Sequence, residues 1–326
     1  MLIAVTGATG FIGKRVVKQL LSEGHQLHIY ARPTSALQSL ETQSNEITVF
    51  RGSLSDHGEL CACFSNVDSV IHLACTSNWN DIGTSEVISV AVDGSIAVAK
   101  AIKDSGAGKL VYISSAAAAG FCDGPSSEPL VESSYFDYFG HGLFYAEAKC
   151  AAELELTTFC SDNQIPLTIL CPGEVYGSQD DKKVTASNVE FIMKSCLPVI
   201  PSKGGVSVTH VEDVANAIVK AATSSAVGRY FLGGENVTLK EFADLVCLAA
   251  HKCSCVVPIN HILLRTAVNA CQLLHLKPPV APALVPFLDK YWWISSEKAS
   301  KDLGYSPRLA IDCVSDVVDW LLLNKQ

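Results

Sequence analysis

The sequence has few charged residues and no excess of basic ones. Charged side chains make up 17% of the 326 residues, and 24 lysines and arginines face 33 aspartates and glutamates, which gives a net charge of −9. Because nucleic-acid-binding proteins depend on basic patches, this balance argues against a nucleic-acid partner. No apolar run reaches the ~20 residues of a membrane span. The first residues enter an apolar strand without a signal peptide's basic start, so we expect a cytoplasmic protein.

The sequence also lacks the cysteine spacing of a metal site. Its thirteen cysteines are scattered, and Cys61/Cys63 and Cys253/Cys255 have only one residue between them, without the two-residue spacer of a zinc site. Most of the others have apolar neighbours, among which a free thiol packs as a small hydrophobic group. We therefore predict no metal site and reduced thiols in an intracellular protein.

The N-terminal stretch places a glycine-rich turn between an apolar run and an amphipathic helix. Leu2–Val5 predicts a buried parallel strand, and Lys14–Leu21 places its apolar residues on one helical face. Gly7, Gly10 and Gly13 lie between them, as needed for a tight turn, a close backbone approach to a pyrophosphate and helix packing on the strand. The unpaired N–H groups of the helix start attract an anion. The predicted dinucleotide-binding residues of this turn are Gly7, Thr9, Gly10, Phe11, Ile12 and Gly13.

Short apolar strands alternate with amphipathic helices up to about residue 170, which predicts a doubly wound parallel sheet of the Rossmann type. Beyond it, prolines and glycines divide the chain into shorter elements. We expect an α/β protein in which residues 1–175 form the NAD(P)-binding domain. Residues 176–326 are expected to form mainly a smaller α/β lobe that binds the substrate, with some segments returning to the first domain.

The end of the second predicted strand indicates which dinucleotide is bound. NAD sites usually place an acid there for the ribose hydroxyls, whereas NADP sites supply a cation for the 2′-phosphate. This chain has Ala31 followed by Arg32 and no acid. We therefore predict NADP(H) in preference to NAD(H), with Arg32 at the phosphate. The alternative is that Arg32 is only a solvated loop residue.

A tyrosine and a lysine in the middle of the chain have the spacing of a catalytic pair. Of nine tyrosines, only Tyr145 has a lysine, Lys149, four residues later, which puts both on one helical face. Reduction of a carbonyl by hydride needs a proton donor, and the ordinary tyrosine pKa of about 10 is too high for ready exchange near neutrality. A neighbouring ammonium lowers that pKa. Ser115, after the fifth predicted strand, can hydrogen-bond the substrate oxygen.

These motifs resemble the extended short-chain dehydrogenase/reductase family, also called the epimerase/dehydratase family. The resemblance runs over essentially the whole chain, through TGATGFIG, ISSAAAAG, YAEAK and LGYSPR, and is greatest to the dihydroflavonol reductase and 3β-hydroxysteroid dehydrogenase branches. It implies that Ser115, Tyr145 and Lys149 are catalytic, and that Tyr145 and Lys149 also contact the cofactor. Many members of the family are dimeric, which favours a homodimer but leaves the oligomeric state open.

The resemblance implies further cofactor contacts at strand ends, and at three positions this chain differs from the family pattern. The additional contact residues are Ser53, Leu54, Leu73, Ala74, Cys75, Pro172 and Val175. Ser53 replaces an aspartate that usually meets the adenine amine, Ala91 replaces a common asparagine near the site, and Cys171 replaces an arginine. His72, within an apolar strand, is expected to be structural.

The second half of the chain has few arginines, which bears on the substrate. Enzymes acting on nucleotide sugars must hold a second pyrophosphate, for which arginine is suited, but only Arg229, Arg265 and Arg308 follow residue 160. We therefore expect an NADP(H)-dependent oxidoreductase acting on a ketone, aldehyde or alcohol group of a largely apolar small molecule. The expected substrate contacts are Trp79, Ser115, Tyr145 and Glu174. The alternatives are a nucleotide-sugar epimerase or dehydratase with tightly bound NAD, and a non-catalytic NADP-sensing protein.

Overall fold

The computed structural model describes residues 1–37, 40, 46–75, 86–253, 255–276, 278, 280 and 282–324. The strands are β1 (Leu2–Thr6), β2 (Gln26–Ala31), β3 (Ile47–Arg51), β4 (Ser69–His72), β5 (Leu110–Ile113), β6 (Leu167–Pro172), β7 (Glu174–Tyr176), β8 (Val199–Pro201), β9 (Gly205–His210), β10 (Gly228–Leu232), β11 (Glu235–Thr238), β12 (Val257–Ile259) and β13 (Tyr291–Trp292). The helices are α1 (Phe11–Ser22), α2 (His57–Phe64), α3 (Glu86–Ser105), α4 (Phe144–Asp162), α5 (Ala186–Lys194), α6 (Val211–Thr223), α7 (Leu239–Ala249), α8 (His261–Leu273), α9 (Glu297–Leu303) and α10 (Ala310–Leu323). Short 3₁₀ turns span Ala116–Ala119 and Pro282–Phe287.

The main sheet has seven strands in the order β10-β6-β5-β4-β1-β2-β3, and every pairing in it is parallel. Its strand order reverses between β1 and β4, which is the doubly wound topology and confirms the predicted fold class. All residues of β4 and β5 are buried, as expected for short apolar strands covered on both faces. A ligand crevice in such a sheet opens beyond the carboxyl ends of β1 and β4.

Helices cover both faces of this sheet. The predicted apolar face of α1 is buried with α6 in a core that includes Val16, Leu20 and Ile218. On the opposite face, α2, α3 and α4 share a second core, which includes Phe64, Ile102 and Leu156. No helix among the described residues is both long and apolar enough to cross a membrane.

A smaller sheet is built around β9. This strand pairs in parallel with β7 and β13 and antiparallel with β11, while α5, α7 and α10 pack in the adjoining core. The chain passes from the main to the smaller sheet at Gly173, where an added Cβ would lie 2.4 Å from the Ser207 carbonyl oxygen. The segment β10 then returns to the main sheet. That residues 1–175 bind the dinucleotide and residues 176–326 mainly bind the substrate stays our proposal.

The start of α8 in the smaller lobe is fixed by the strand before it. Pro258 and Ile259 belong to β12, and Asn260 caps the helix through its side chain, which accepts a hydrogen bond from Ile262 N at 2.8 Å.

The close approach of α1 to the preceding turn predicts a cost for any side chain at Gly13. An added Cβ would lie 2.2 Å from the Gly7 carbonyl oxygen and 2.9 Å from Ala8 backbone atoms. We expect Gly13→Ala to lower the free energy of unfolding by about 1–3 kcal/mol through overpacking, measured by urea denaturation. Gly124→Ala is the control, since no atom lies within 4 Å of its added Cβ. Equal stability of the two variants would contradict this packing argument.

Candidate active site

The glycine-rich turn lies at the point where the strand order reverses. Gly7 has a φ of +74°, and an added Cβ would lie 2.7 Å from Ala74 N and from the carbonyl carbon of Leu73. The turn therefore touches the residues that follow β4, two of which were predicted cofactor contacts. Helix α1 begins after Gly10 without a side-chain cap, so its first N–H groups have no side-chain acceptor there. This arrangement of small residues and helix N-terminus fits a dinucleotide pyrophosphate.

The residues under this turn are held by buried hydrogen bonds. Thr6 Oγ1 lies 2.7 Å from His72 Nδ1 and also accepts a hydrogen bond from Ala74 N at 3.3 Å. Burial, and to a smaller degree the charge of Lys149, lowers the pKa of His72 to about 3. His72 is therefore a neutral structural residue, as the sequence predicted.

Two arginines lie at the loop that follows β2. Arg32 is exposed there, and Arg51 at the end of β3 donates hydrogen bonds to the carbonyl oxygens of Arg32, Pro33 and Ser35 at 3.2, 3.0 and 3.3 Å. The sequence analysis did not identify Arg51 as part of the site, because the pattern that distinguishes NAD from NADP sites concerns only the end of the second strand. It fixes the backbone that presents Arg32.

The loop after β3 contains Ser53 and Leu54, the remaining residues expected near the adenosine. The Ser53 carbonyl oxygen accepts a hydrogen bond from Tyr30 at 2.8 Å, and the Ser53 hydroxyl lies 2.7 Å from that of Ser55. Leu54 packs against the core under α2 and α3. Since β1, β2 and β3 are parallel neighbours, the loops after them share one edge of the sheet.

The three residues predicted to be catalytic meet beyond the end of β5. Ser115 caps the 3₁₀ turn by accepting a hydrogen bond from Ala117 N at 3.3 Å, and its side chain acts on Tyr145 of α4 in the direction that lowers the phenol pKa. One helical turn further, Lys149 Nζ donates to the Ile113 carbonyl oxygen at 3.1 Å. The structure therefore brings Ser115, Tyr145 and Lys149 together, although they belong to two separate elements.

Burial decides the protonation of this group. It raises the pKa of Tyr145, and the opposing effects of the Lys149 charge and the Ser115 side chain do not reverse that direction. The lowered pKa expected from the sequence is thus not found, because spacing alone does not report desolvation. Burial works against a charged Lys149, yet Cys75, Tyr112 and Tyr145 together raise its pKa. Near neutrality the pair is therefore a neutral phenol beside an ammonium.

The segment after β6 lies at the passage between the two sheets. Pro172 ends β6 and is buried, and Val175 in β7 is partly buried against the core of α1 and α6. Glu174 begins β7 rather than lying in a loop, and its Oε1 accepts a hydrogen bond from Asn188 on α5 at 2.9 Å. Burial raises the pKa of Glu174 to about 7, although the Tyr176 and Asn188 side chains act in the lowering direction.

Aromatic side chains pack around the same apolar cluster as Tyr145. Phe121, Phe287 and Trp292 lie against that cluster, which includes residues of the 3₁₀ turn and of α4. The ring centres of Phe121 and Trp292 are 5.4 Å apart, those of Phe287 and Trp292 are 5.3 Å apart, and Tyr138 stacks on Phe121 at 4.5 Å. We call Phe121, Tyr138, Phe287 and Trp292 the aromatic wall. Trp79, a predicted substrate contact, lies outside the described residues.

A buried ion pair lies one turn beyond Lys149. Glu153 is 0% exposed, its Oε2 is 2.7 Å from Arg229 Nε of β10, and its Oε1 accepts a hydrogen bond from the Cys171 thiol at 3.3 Å. Arg229 also donates to the carbonyl oxygens of Glu132 and Ser134. A cation from β10 thus lies beside Cys171, where the family pattern has an arginine. Only the fold reveals this pair, because Glu153 and Arg229 are far apart in sequence.

The fold, the glycine turn and the Ser115–Tyr145–Lys149 group define an NAD(P)-dependent enzyme of the short-chain dehydrogenase/reductase type. The chain belongs to the NAD dependent epimerase/dehydratase family, whose sequence model matches residues 3–233. This membership confirms the resemblance seen in the motifs.

Similar proteins include both reductases and epimerases. The chain is 28% identical to anthocyanidin reductase ((2S)-flavan-3-ol-forming) of Vitis vinifera, with 74% of this chain and 79% of that protein covered. Vestitone reductase of Medicago sativa is also 28% identical, with 75% and 80% covered. Among solved structures, gox2253 has a TM-score of 0.82 at 27% identity, covering 99% and 98% of the two chains. The NAD complex of UDP-glucose 4-epimerase from Thermus thermophilus has 0.76 at 22% identity, covering 99% of each, and shows the shared fold alone.

The raised pKa of Glu174 predicts a stability difference that depends on pH. The folded state holds this proton up to a pKa of about 7, against 4.5 for an ordinary glutamate, so it binds more protons than the unfolded state between those values. Wild-type stability relative to Glu174→Gln should therefore fall as pH rises from about 4.5 to about 7. Thermal unfolding of both proteins across this range measures the difference, with exposed Glu155→Gln as the control. A difference that does not change with pH would refute the burial of this carboxyl.

Proposed function

We propose that this protein is an NADP(H)-dependent oxidoreductase that reduces a ketone or aldehyde, or oxidises the alcohol, on a largely apolar small molecule. A nicotinamide bound in the crevice supplies or takes up the hydride. The observation on which the proposal depends is the partly buried Tyr145 phenol, with Ser115 acting on its pKa and the buried Lys149 ammonium following one helical turn later.

Each of these three side chains has a distinct task. The Tyr145 phenol, protonated near neutrality, donates its proton to the oxygen on which negative charge develops during reduction. The Ser115 hydroxyl donates a hydrogen bond to the same oxygen and orients the carbonyl. The Lys149 ammonium stabilises the phenolate that remains, an effect that is stronger in a buried site than in water.

The residues proposed to hold the cofactor follow the strand ends of the main sheet. Gly7, Gly10, Gly13 and the first N–H groups of α1 receive the pyrophosphate, and Arg32 receives the 2′-phosphate. The hydrogen bonds from Arg51 support this role, because they hold the loop that presents the Arg32 guanidinium. The contacts proposed near the nicotinamide and the adenosine are Ser53, Leu54, Leu73, Ala74, Cys75, Tyr145, Lys149, Pro172 and Val175.

The surroundings of the site favour an apolar substrate over a nucleotide sugar. The aromatic wall offers flat apolar surface beside Tyr145. Of the three arginines that follow residue 160, Arg229 is paired with the buried Glu153 at 2.7 Å, and Arg308 Nε lies 3.1 Å from Asp213, so two already have carboxylate partners. The two relatives described above are named as reductases, which agrees with this choice. Glu174 and Trp79 are proposed as further substrate contacts, and a cytoplasmic homodimer stays a prediction from the sequence.

Replacing the proposed proton donor should remove turnover and spare cofactor binding. We expect Tyr145→Phe to lower kcat for NADPH-dependent reduction of aromatic ketones and aldehydes by about 10²–10⁴-fold, with the Kd of NADPH nearly unchanged. NADPH absorbance follows the rate, and Tyr230→Phe, a core phenol on β10, is the control. An undiminished rate in Tyr145→Phe would show that another group donates the proton. Purified wild type that retains NAD and consumes no added NADPH would instead favour the epimerase alternative.

The phosphate role of Arg32 predicts a change in cofactor selectivity. We expect Arg32→Ala to weaken NADPH binding about tenfold or more, since a charge-assisted hydrogen bond to the 2′-phosphate is lost, and to leave NADH binding unchanged. Fluorescence titration of each cofactor gives the two Kd values, with Arg308→Ala as a control far along the chain. Equal weakening of NADPH and NADH would be incompatible with a phosphate contact at Arg32.

A further inference from the structure

The Arg229 guanidinium on β10 holds a stretch of irregular chain beside the main sheet. Its Nη1 donates hydrogen bonds to the carbonyl oxygen of Glu132, at 3.0 Å, and to that of Ser134. The Arg229 Cζ also lies 4.2 Å from the centre of the Tyr135 ring. Arg229 is only 7% exposed, although Glu132 precedes it by 97 residues. One guanidinium thus contacts three residues of the same short segment.

Two further hydrogen bonds fix the ends of this segment, residues 132–136. The Glu132 carboxylate accepts a hydrogen bond from Phe231 N at 3.0 Å, which ties the start of the segment to β10. At the other end, Phe136 N donates to the Ala118 carbonyl oxygen at 2.9 Å, within the 3₁₀ turn that Ser115 caps. The segment therefore runs from an edge strand of the main sheet to the turn that holds a proposed catalytic residue.

The end of the segment reaches the aromatic wall. Phe136 is buried in the apolar cluster against which Tyr145 packs, and the centres of the Phe136 and Tyr138 rings are 6.0 Å apart. Tyr138 in turn stacks on Phe121. The position of these rings relative to Tyr145 therefore depends on how residues 132–136 are held.

The same guanidinium also contacts the helix that carries the proposed catalytic pair. Arg229 Nε lies 2.7 Å from Oε2 of Glu153, which is 0% exposed and follows Lys149 by one helical turn on α4. A planar guanidinium can direct Nε to the carboxylate and Nη1 to the carbonyl oxygens, whereas a lysine ammonium is a single point charge. Because β10 pairs with β6, with Phe231 opposite Cys171, this cation comes from the strand next to the one where the family pattern has an arginine.

We propose that Arg229 is a positioning residue that fixes residues 132–136 between α4 and β10 and so holds the aromatic wall beside Tyr145. The proposal rests on the proposed function for its effect on turnover but not for its geometry. A wall that is already ordered spares an apolar substrate the entropy cost of ordering these side chains when it binds. Loss of the Arg229 contacts should therefore weaken substrate binding more than it slows the chemical step.

The variant Arg229→Lys tests this role without leaving Glu153 opposite an apolar side chain. The substituted ammonium keeps a cation near the carboxylate, but the fork that also reaches the two carbonyl oxygens is lost. We expect amide exchange in peptides covering residues 132–139, measured by hydrogen–deuterium exchange mass spectrometry, to become about tenfold faster. For reduction of an aromatic ketone, KM should rise about tenfold, while kcat stays within about threefold and the Kd of NADPH within about twofold.

Two further variants separate positioning from a general loss of packing. Glu132→Ala removes the acceptor of Phe231 N and should move exchange and KM in the same direction by less, which also covers an Arg229 variant that does not fold. Arg308→Lys makes the same substitution at another guanidinium, whose Nε lies 3.1 Å from Asp213, and should move neither quantity.

Exchange of residues 132–139 that stays within about twofold of wild type in folded Arg229→Lys, or in Glu132→Ala where the lysine variant does not fold, would overturn the proposal. A loss of kcat at unchanged KM would overturn it as well, because it would place the effect in the chemical step. If wild type reduces no carbonyl compound, the proposed function fails, but the exchange measurement still decides whether Arg229 fixes residues 132–136.

Discussion

The site depends on holding a buried ammonium beside a partly buried phenol. A buried charge is costly unless fixed groups replace its hydration. For Lys149 these groups are the Ile113 carbonyl oxygen, which accepts a hydrogen bond at 3.1 Å, and the Tyr112 ring, whose centre is 5.2 Å away; both residues are on β5. The free-energy cost of burying the Lys149 charge is offset by the apolar packing of α4 against α3 and the 3₁₀ turn. Because burial also keeps Tyr145 protonated, the fold that accommodates the lysine sets the phenol in its proton-donating form.

The parallel sheet explains why cofactor and catalytic groups share one crevice. The carboxyl ends of parallel strands lie at the same edge, so Thr6, His72, Ile113 and Pro172 all lead into loops on that side. Reversal of the strand order between β1 and β4 opens the crevice. Glycines at positions 7 and 13 then let α1 and the residues after β4 approach more closely than any side chain would permit.

Local sequence patterns predicted the fold and the central residues of the site. The contacts that support those residues could be identified only from the three-dimensional structure. The glycine turn, the apolar strands and the Tyr145–Lys149 spacing each lie within a short segment, so periodicity and spacing identify them. The Glu153–Arg229 ion pair and the aromatic wall join distant segments and leave no local pattern. The raised pKa of Tyr145 was also not predicted. The spacing of Tyr145 and Lys149 indicates a neighbouring charge, but it does not indicate the desolvation that outweighs the effect of this charge.

The central claim is hydride transfer between a nicotinamide and an apolar carbonyl at Tyr145, and isotope transfer tests it most directly. NADPH deuterated at either face of nicotinamide C4 is mixed with the wild-type protein and a panel of aromatic ketones and aldehydes, and the product is analysed by mass spectrometry. We predict that one of the two labelled cofactors transfers deuterium to the carbinol carbon of an alcohol product while NADP⁺ accumulates. Absence of deuterium from every product, with NADPH left unconsumed, would contradict the proposed reaction.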